Sequence, residues 1–219
     1  MCGEPLIGPH LSFLKMNTIE TTFSDTRAAT QASSASREWV SRWTGPIAAG
    51  VLTLIIFYLS LISTSIPVSS KQSVKIDQAI STLEAKGFSR EAFLLRHVVT
   101  FRSSDNWLNS VTPKENAFAA TNFPFFIITV YPDFFDRAKD DTERAMILLH
   151  EAQHLKGASE HRAYAYVWEH REQLGWTTLT HGTTETFVTV AQQTRENAPE
   201  LFTCPQRTWS DCTETLAMR

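Results

Sequence analysis

Residues 150–154 read His-Glu-Ala-Gln-His. Histidines four apart on a helix share one face, so both imidazoles can reach a single metal ion. The glutamate between them lies about 100° round the helix from His150, beside such an ion rather than on it. From there it can hold a metal-bound water, take its proton and pass it to a leaving amine. Two imidazoles and a carboxylate suit Zn²⁺, which lowers the pKa of bound water towards ~7. Ala145, Leu148, Leu149, Ala152 and Leu155 form an apolar stripe on the same helix, and His150, Glu151 and His154 lie off it. A solvated polar face is the bland alternative for these three.

A catalytic centre of this kind needs a third protein ligand and an open fourth position. The chain continues Leu-Lys-Gly-Ala-Ser-Glu-His, which puts Glu160 six residues past His154 and just beyond Gly157. A glycine lets the chain reverse, and a carboxylate in the first turn of the next helix can swing back to the metal. His161 is the nearest competitor, and Glu169, His170, Glu172 and His181 are further options. Five of the seven histidines fall between His150 and His181. Without a metal, Glu160 is a helix-start carboxylate opposing the dipole.

The segment His150–Glu160 (HEAQHLKGASE) resembles the metzincin signature H-E-x-x-H-x-x-G-x-x-H/D, with Glu160 at the third-ligand position. It departs from that pattern in the glutamate and in lacking a Met-turn, since only Met218 follows. Residues 125–164 also resemble the deuterolysin-like aspzincins. In those, a strand, a proline and an aromatic pair lead into the HExxH helix, and a G-T-x-D-x-x-Y segment supplies the third ligand. The matching segments are FFIITVYPDFF, AMILLHEAQH and Gly157-Ala158-Ser159-Glu160, with tyrosines at 164 and 166. Here glutamate replaces aspartate, the connection is shorter and a tyrosine comes one residue late. A compact gluzincin-like site, with glutamate as third ligand, fits the same residues. The resemblance covers 40 of 219 residues. It implies a zincin metallopeptidase with His150, His154 and Glu160 as zinc ligands and Glu151 as general base. It further implies Tyr164 as oxyanion stabiliser and the strand Phe125–Tyr131 as the one that pairs with an extended substrate. A structural tyrosine and a plain core strand are the alternatives.

The elements that must position these residues follow from caps and periodicity. Asp140, with Glu143 at the capping-box offset, opens a helix that runs to Lys156 and stops at Gly157. Ser159 caps a second helix, Glu160 to Leu174, ending at Gly175, and a third spans Thr184 to Asn197. Upstream, Ser73 to Lys86 reads as a helix with Ile76, Ala79, Ile80 and Leu83 at helical spacing. Ser89 caps another through Thr100, with Phe93, Leu94 and His97 on one side and His97 a core histidine. Phe125–Tyr131 is a β-branched and aromatic strand between prolines. The fold class is α+β, a predominantly helical zincin-like domain over residues 72–219.

The run Ile47–Ile66 is 20 mostly apolar residues, and no charge lies between Arg42 and Lys71. Such a helix covers about 30 Å, the hydrocarbon thickness of a bilayer. Trp39 and Trp43 sit at its entry, where amphipathic rings favour the interface. A single transmembrane helix is therefore expected over 46–67, behind a disordered tail of residues 1–45 rich in Ser, Thr and Ala. Basic residues flank the span almost evenly, and Cys204 and Cys212 could close a short loop in an oxidising compartment. These point to the main domain on the non-cytoplasmic side. The whole chain carries 20 basic and 23 acidic residues, a net −3, which leaves no electrostatic footprint for nucleic acid. The expected partners are a peptide or protein substrate and the lipid bilayer. The expected function is a membrane-anchored zinc metallopeptidase. The rival is a non-enzymatic anchored binding module that keeps a zincin-like fold and metal site, in which Glu151 would have no use.

Overall fold

The structure, a computed structural model, describes residues 42–111, 117–204 and 207–208. The tail expected over 1–45 lies outside the described residues as far as residue 41. Cys212, and with it the question of a Cys204–Cys212 bond, also lies outside them. The chain divides into two units, Met1–Phe57 and Tyr58–Arg219.

Helix α1, Arg42–Ser63, is long and apolar enough to cross a membrane. Its side chains from Ile47 to Ile56 are exposed, including Ile47, Val51, Leu52 and Ile55, so protein does not cover them as it would a core helix. It starts and ends four residues earlier than the span expected over 46–67. The end falls where Ser63 and Thr64 turn their hydroxyls back onto the Ser60 carbonyl and Ser65 onto that of Leu61. Such bonds compete with the backbone ladder, and Pro67 follows.

The second unit is mostly helical with a small sheet, an α+β architecture. In chain order come α2 (Ser70–Ala85), α3 (Ser89–His97), β1 (Thr100–Arg102), β2 (Ala119–Asn122) and β3 (Ile127–Val130). Then follow α4 (Pro132–Asp136), α5 (Asp141–Leu155), α6 (Glu160–Glu169), α7 (Arg171–Leu174), α8 (Thr178–His181) and α9 (Glu185–Asn197). A short hairpin, β4 (Thr203–Cys204) with β5 (Arg207–Thr208), closes the described chain. The three-stranded sheet has the order β1-β3-β2, with β1 parallel and β2 antiparallel to β3.

Helix α5 is the centre of the unit. Every residue from Glu143 to Leu149 is buried, so it carries more than the single apolar stripe its spacing suggests. Asp140 caps it, its carboxylate accepting the N–H groups of Thr142 and Glu143. Glu143 does not complete a capping box with Asp140. It accepts the Lys139 N–H at 2.7 Å and the Thr184 hydroxyl, tying α5 to the start of α9.

Three other local expectations change. Helix α2 begins at Ser70 rather than Ser73, because Ser69 and Gln72 form a reciprocal capping box. Helix α3 buries Ala92 and Leu95, while Phe93 and His97 face outward with ring centroids 4.8 Å apart. His97 is thus no core histidine, and Thr100 belongs to a strand. The helix expected over Glu160–Leu174 breaks at His170, whose Nδ1 bonds the Tyr166 carbonyl at 2.7 Å.

Candidate metal centre

The geometry of the site starts at the end of α5. Lys156 is its C-cap and Gly157 follows with φ +80°, a left-handed conformation glycine adopts without steric cost. The Gly157 N–H bonds the His154 carbonyl at 2.9 Å and the Ala158 N–H bonds that of Gln153 at 3.0 Å. This pair of bonds is a Schellman motif, which reverses the chain within three residues. Ser159 then caps α6, and Glu160 is the first residue of that helix. Glu160 therefore returns to the two histidines only six residues after leaving them.

One turn of α5 separates His150 from His154, and their Nε2 atoms are 3.0 Å apart. Glu160 lays one carboxylate oxygen towards each: Oε2 is 3.4 Å from His150 Nε2 and Oε1 is 3.4 Å from His154 Nε2. One donor atom from each of the three residues lies within 4.8 Å of the others, so the group could hold a metal ion. The separations suit a small one. Zn–N and Zn–O bonds of ~2.0–2.1 Å in a tetrahedron put neighbouring ligand atoms ~3.3 Å apart. Two nitrogens and a carboxylate also favour zinc over calcium or magnesium, which take oxygen donors. The Nδ1 of His154 is 3.0 Å from the Ala158 carbonyl. With Nδ1–H donating there, Nε2 carries the lone pair a metal needs.

The electrostatics follow from this closeness. Hydrogen bonds with His150 and His154 hold the Glu160 carboxyl far below the usual carboxylate range. Burial opposes charge on His154, but the Glu160 bond and the charges of Glu151 and Glu160 outweigh it, lifting the imidazole pKa to about 9.

Glu151 is buried, on the inner side of α5. Its Oε2 accepts a hydrogen bond from Thr121 Oγ1 at 2.7 Å. Thr121 lies in β2, so an outer strand of the sheet fixes one carboxylate oxygen. Sequence reasoning missed this residue, since no local pattern pairs Thr121 with a position 30 residues away. Tyr164, one turn into α6, sets its ring 4.4 Å from that of His150. Burial, together with the charges of Glu160 and Glu151, raises its hydroxyl pKa, so the phenol keeps its proton.

A cleft of about 690 Å³ runs along this face. His150, Glu151, Glu160 and Tyr164 form one wall, Ala120 and Thr121 of β2 another, and Val190 of α9 closes the side. The strand expected to pair with substrate is β3, and it already has β1 on one edge and β2 on the other. It cannot accept another strand. The outer position belongs to β2, which the sequence reading did not find.

The competing ligands go elsewhere. His161 pairs with Glu200 at 2.7 Å, and His170 stacks on Tyr166 with ring centroids 4.1 Å apart. His181 is buried between Asp140 and Thr180. Glu169 lies at a separate shallow concavity between α5 and α6, and Glu172 is exposed on α7. Among the described residues, His150, His154 and Glu160 are the group whose donor atoms converge. Comparison of the chain with family models, with curated proteins and with solved structures finds no match.

Proposed function

We propose that this protein is a membrane-anchored, zinc-dependent metallopeptidase of the zincin type. The observation that carries the reading is the convergence of His150, His154 and Glu160 on one wall of a cleft, with the buried Glu151 carboxylate beside them. These three residues would hold the metal. Zinc bound there supplies Lewis acidity, polarising a carbonyl and bringing the pKa of water within reach of neutrality.

The chain's own groups do the rest. Glu151 takes a proton from the water whose oxygen attacks the peptide carbonyl carbon, and delivers it to the amine as the C–N bond breaks. Thr121 holds Oε2 of that carboxylate, leaving Oε1 to carry the proton. The Ala158 carbonyl keeps His154 in the tautomer that ligates through Nε2. Tyr164, protonated and packed on His150, donates to the oxyanion as it develops. The outer edge of β2 offers backbone groups to an extended peptide. Helix α1 is the tether.

The test uses the full chain in detergent or lipid. Bound zinc is measured by atomic emission, and cleavage of a mixed peptide library is followed by mass spectrometry. The reading expects about one zinc per chain, with cleavage abolished and zinc retained in Glu151→Gln. Zinc without cleavage by the unmutated chain would move the assignment to a non-enzymatic metal-binding module. Freshly prepared protein that neither holds nor takes up zinc would refute both.

A further inference from the structure

The segment leaving β1 doubles back along the end of α1. Pro67 bridges to Arg102, and the Ser103 N–H donates to the Ile66 carbonyl at 2.8 Å. The Ile66 N–H donates to Ser104 Oγ at 2.8 Å, and the Trp107 N–H to Thr64 Oγ1 at 3.3 Å. Finally the Trp107 indole N–H donates to Ser60 Oγ at 3.2 Å. As residue numbers rise from 102 to 107, those of their partners fall from 67 to 60. Trp107 is thus the point of this segment that reaches furthest back along the helix.

That depth can be placed against a bilayer. Helix α1 ends at Ser63, and Ser60, Ser63 and Thr64 turn its apolar run polar there, so the edge of a hydrocarbon core falls along this last stretch of the helix. The indole bonded to Ser60 therefore lies at the outer interface, where tryptophan is favoured. Trp107 and Leu108 are 45% and 37% exposed, although both are large and apolar. Ile66 nearby is 63% exposed. No Asp, Glu, Lys or Arg occurs from Asn106 to Pro113, and Asp105 is turned onto the Tyr131 hydroxyl at 2.6 Å. The tip is also pre-shaped. Buried Asn106 accepts the N–H groups of Leu108 at 3.1 Å and Asn109 at 3.0 Å through Oδ1.

The same turn reaches the cleft, because Asn109 lines it. We propose that the Trp107–Leu108 turn rests in the interfacial layer of the bilayer that α1 crosses, so that the cleft receives peptide chain close to the membrane surface. The substrate half of this proposal rests on the metallopeptidase reading, and the docking half rests only on the membrane helix. Two residues from Trp107 to Asn109 span at most ~7 Å, so the cleft that Asn109 lines begins within a few extended residues of the turn. The preferred substrate is a membrane-tethered chain with its scissile bond about that far from the anchor.

The experiment reconstitutes the full chain in vesicles containing lipids brominated at known acyl depths. Subtracting the emission of Trp107→Phe from that of the unmutated protein isolates the Trp107 signal. The expected result is quenching of that component, strongest for bromines nearest the headgroups, and its loss in Trp107→Phe. Trp107→Phe combined with Leu108→Trp should restore it, which guards against a folding defect in the first variant. A Trp107 component insensitive to every brominated lipid overturns the docking. So does one that changes only with protein density, which would assign the turn to a second copy of the chain.

The second arm offers lipid-anchored peptides with spacers of two to twenty residues, alongside the same peptides free. Cleavage peaking at short spacers supports the substrate class, and equal cleavage of free and anchored peptides overturns it. No cleavage of any peptide counts against the metallopeptidase reading and removes the substrate half with it. The quenching result then still decides the docking.

Discussion

Replacing Glu160 with glutamine separates two effects that the site combines. In the metal-free protein the Glu160 carboxylate sits 3.4 Å from both imidazoles and, with Glu151, lifts His154 to a pKa of about 9. Zinc bound as proposed would have to displace that proton, so its affinity should rise with pH as the imidazole loses it. Each pH unit below that pKa weakens binding about tenfold, worth about 1.4 kcal/mol. From pH 6.5 to 8.5 the unmutated chain should therefore bind zinc about a hundredfold more tightly. In Glu160→Gln the imidazole returns towards its ordinary value near 6.5, so little proton competition remains above neutrality. The variant also loses its anionic ligand. Four-ligand structural zinc sites bind with about 10–16 kcal/mol, so one ligand carries about 3 kcal/mol, again near a hundredfold. At pH 7 the relief from proton competition, about eightyfold, offsets most of this, and at pH 8.5 it has fallen to about fourfold. The two affinity curves should diverge with pH rather than run parallel. Competition titrations against a zinc chelator across this range measure both curves, with circular dichroism confirming the fold. Parallel curves, or identical affinities at pH 8.5, would refute the role given to Glu160.

Two further outcomes follow from the same geometry. Thr121→Val removes the donor to the Glu151 carboxylate, and a bond to a charged group is worth about 1.5–3 kcal/mol. Peptide kcat/KM should fall roughly 10- to 100-fold with zinc affinity unchanged, and Thr121→Ser should recover most of it. An unaltered kcat/KM would show that the strand does not position the carboxylate. Gly157→Ala places a Cβ in open space, so its cost is the positive φ alone, about 1–2 kcal/mol. Chemical denaturation should register that loss, and zinc affinity should drop as Glu160 shifts. Stability equal to the unmutated protein would mean the Schellman turn is not what returns Glu160 to the histidines.

Much of the candidate centre was legible in local pattern. His150 and His154 share a face because helical periodicity is a local property. Asp140, Gly157 and Ser159 mark helix ends because capping acts over three or four residues. Glu160 was one of several possible third ligands. Only the chain reversal at Gly157 brings its oxygens to the imidazoles, while His161, His170 and His181 find partners in other elements.

What local pattern could not carry was pairing across distance. Strands β1 and β2 are three and four residues long with weak alternation, and they exist because β3 lies between them. Phe93 and His97 fit an apolar face by spacing, yet the face α3 buries is set by where α2 and α5 lie, and it is the other one. The apolar run Ile47–Ile66 was plain from composition alone, because crossing hydrocarbon requires about twenty uncharged residues in sequence. That Trp107 folds back onto Ser60 was not, because a hydrogen bond between residues 47 positions apart leaves no local trace. Sequence alone determined the helix that bears His150, Glu151 and His154 and the helix suited to a membrane. Tertiary packing decided which carboxylate meets the histidines, which strand bounds the cleft and which turn lies beside the end of the span.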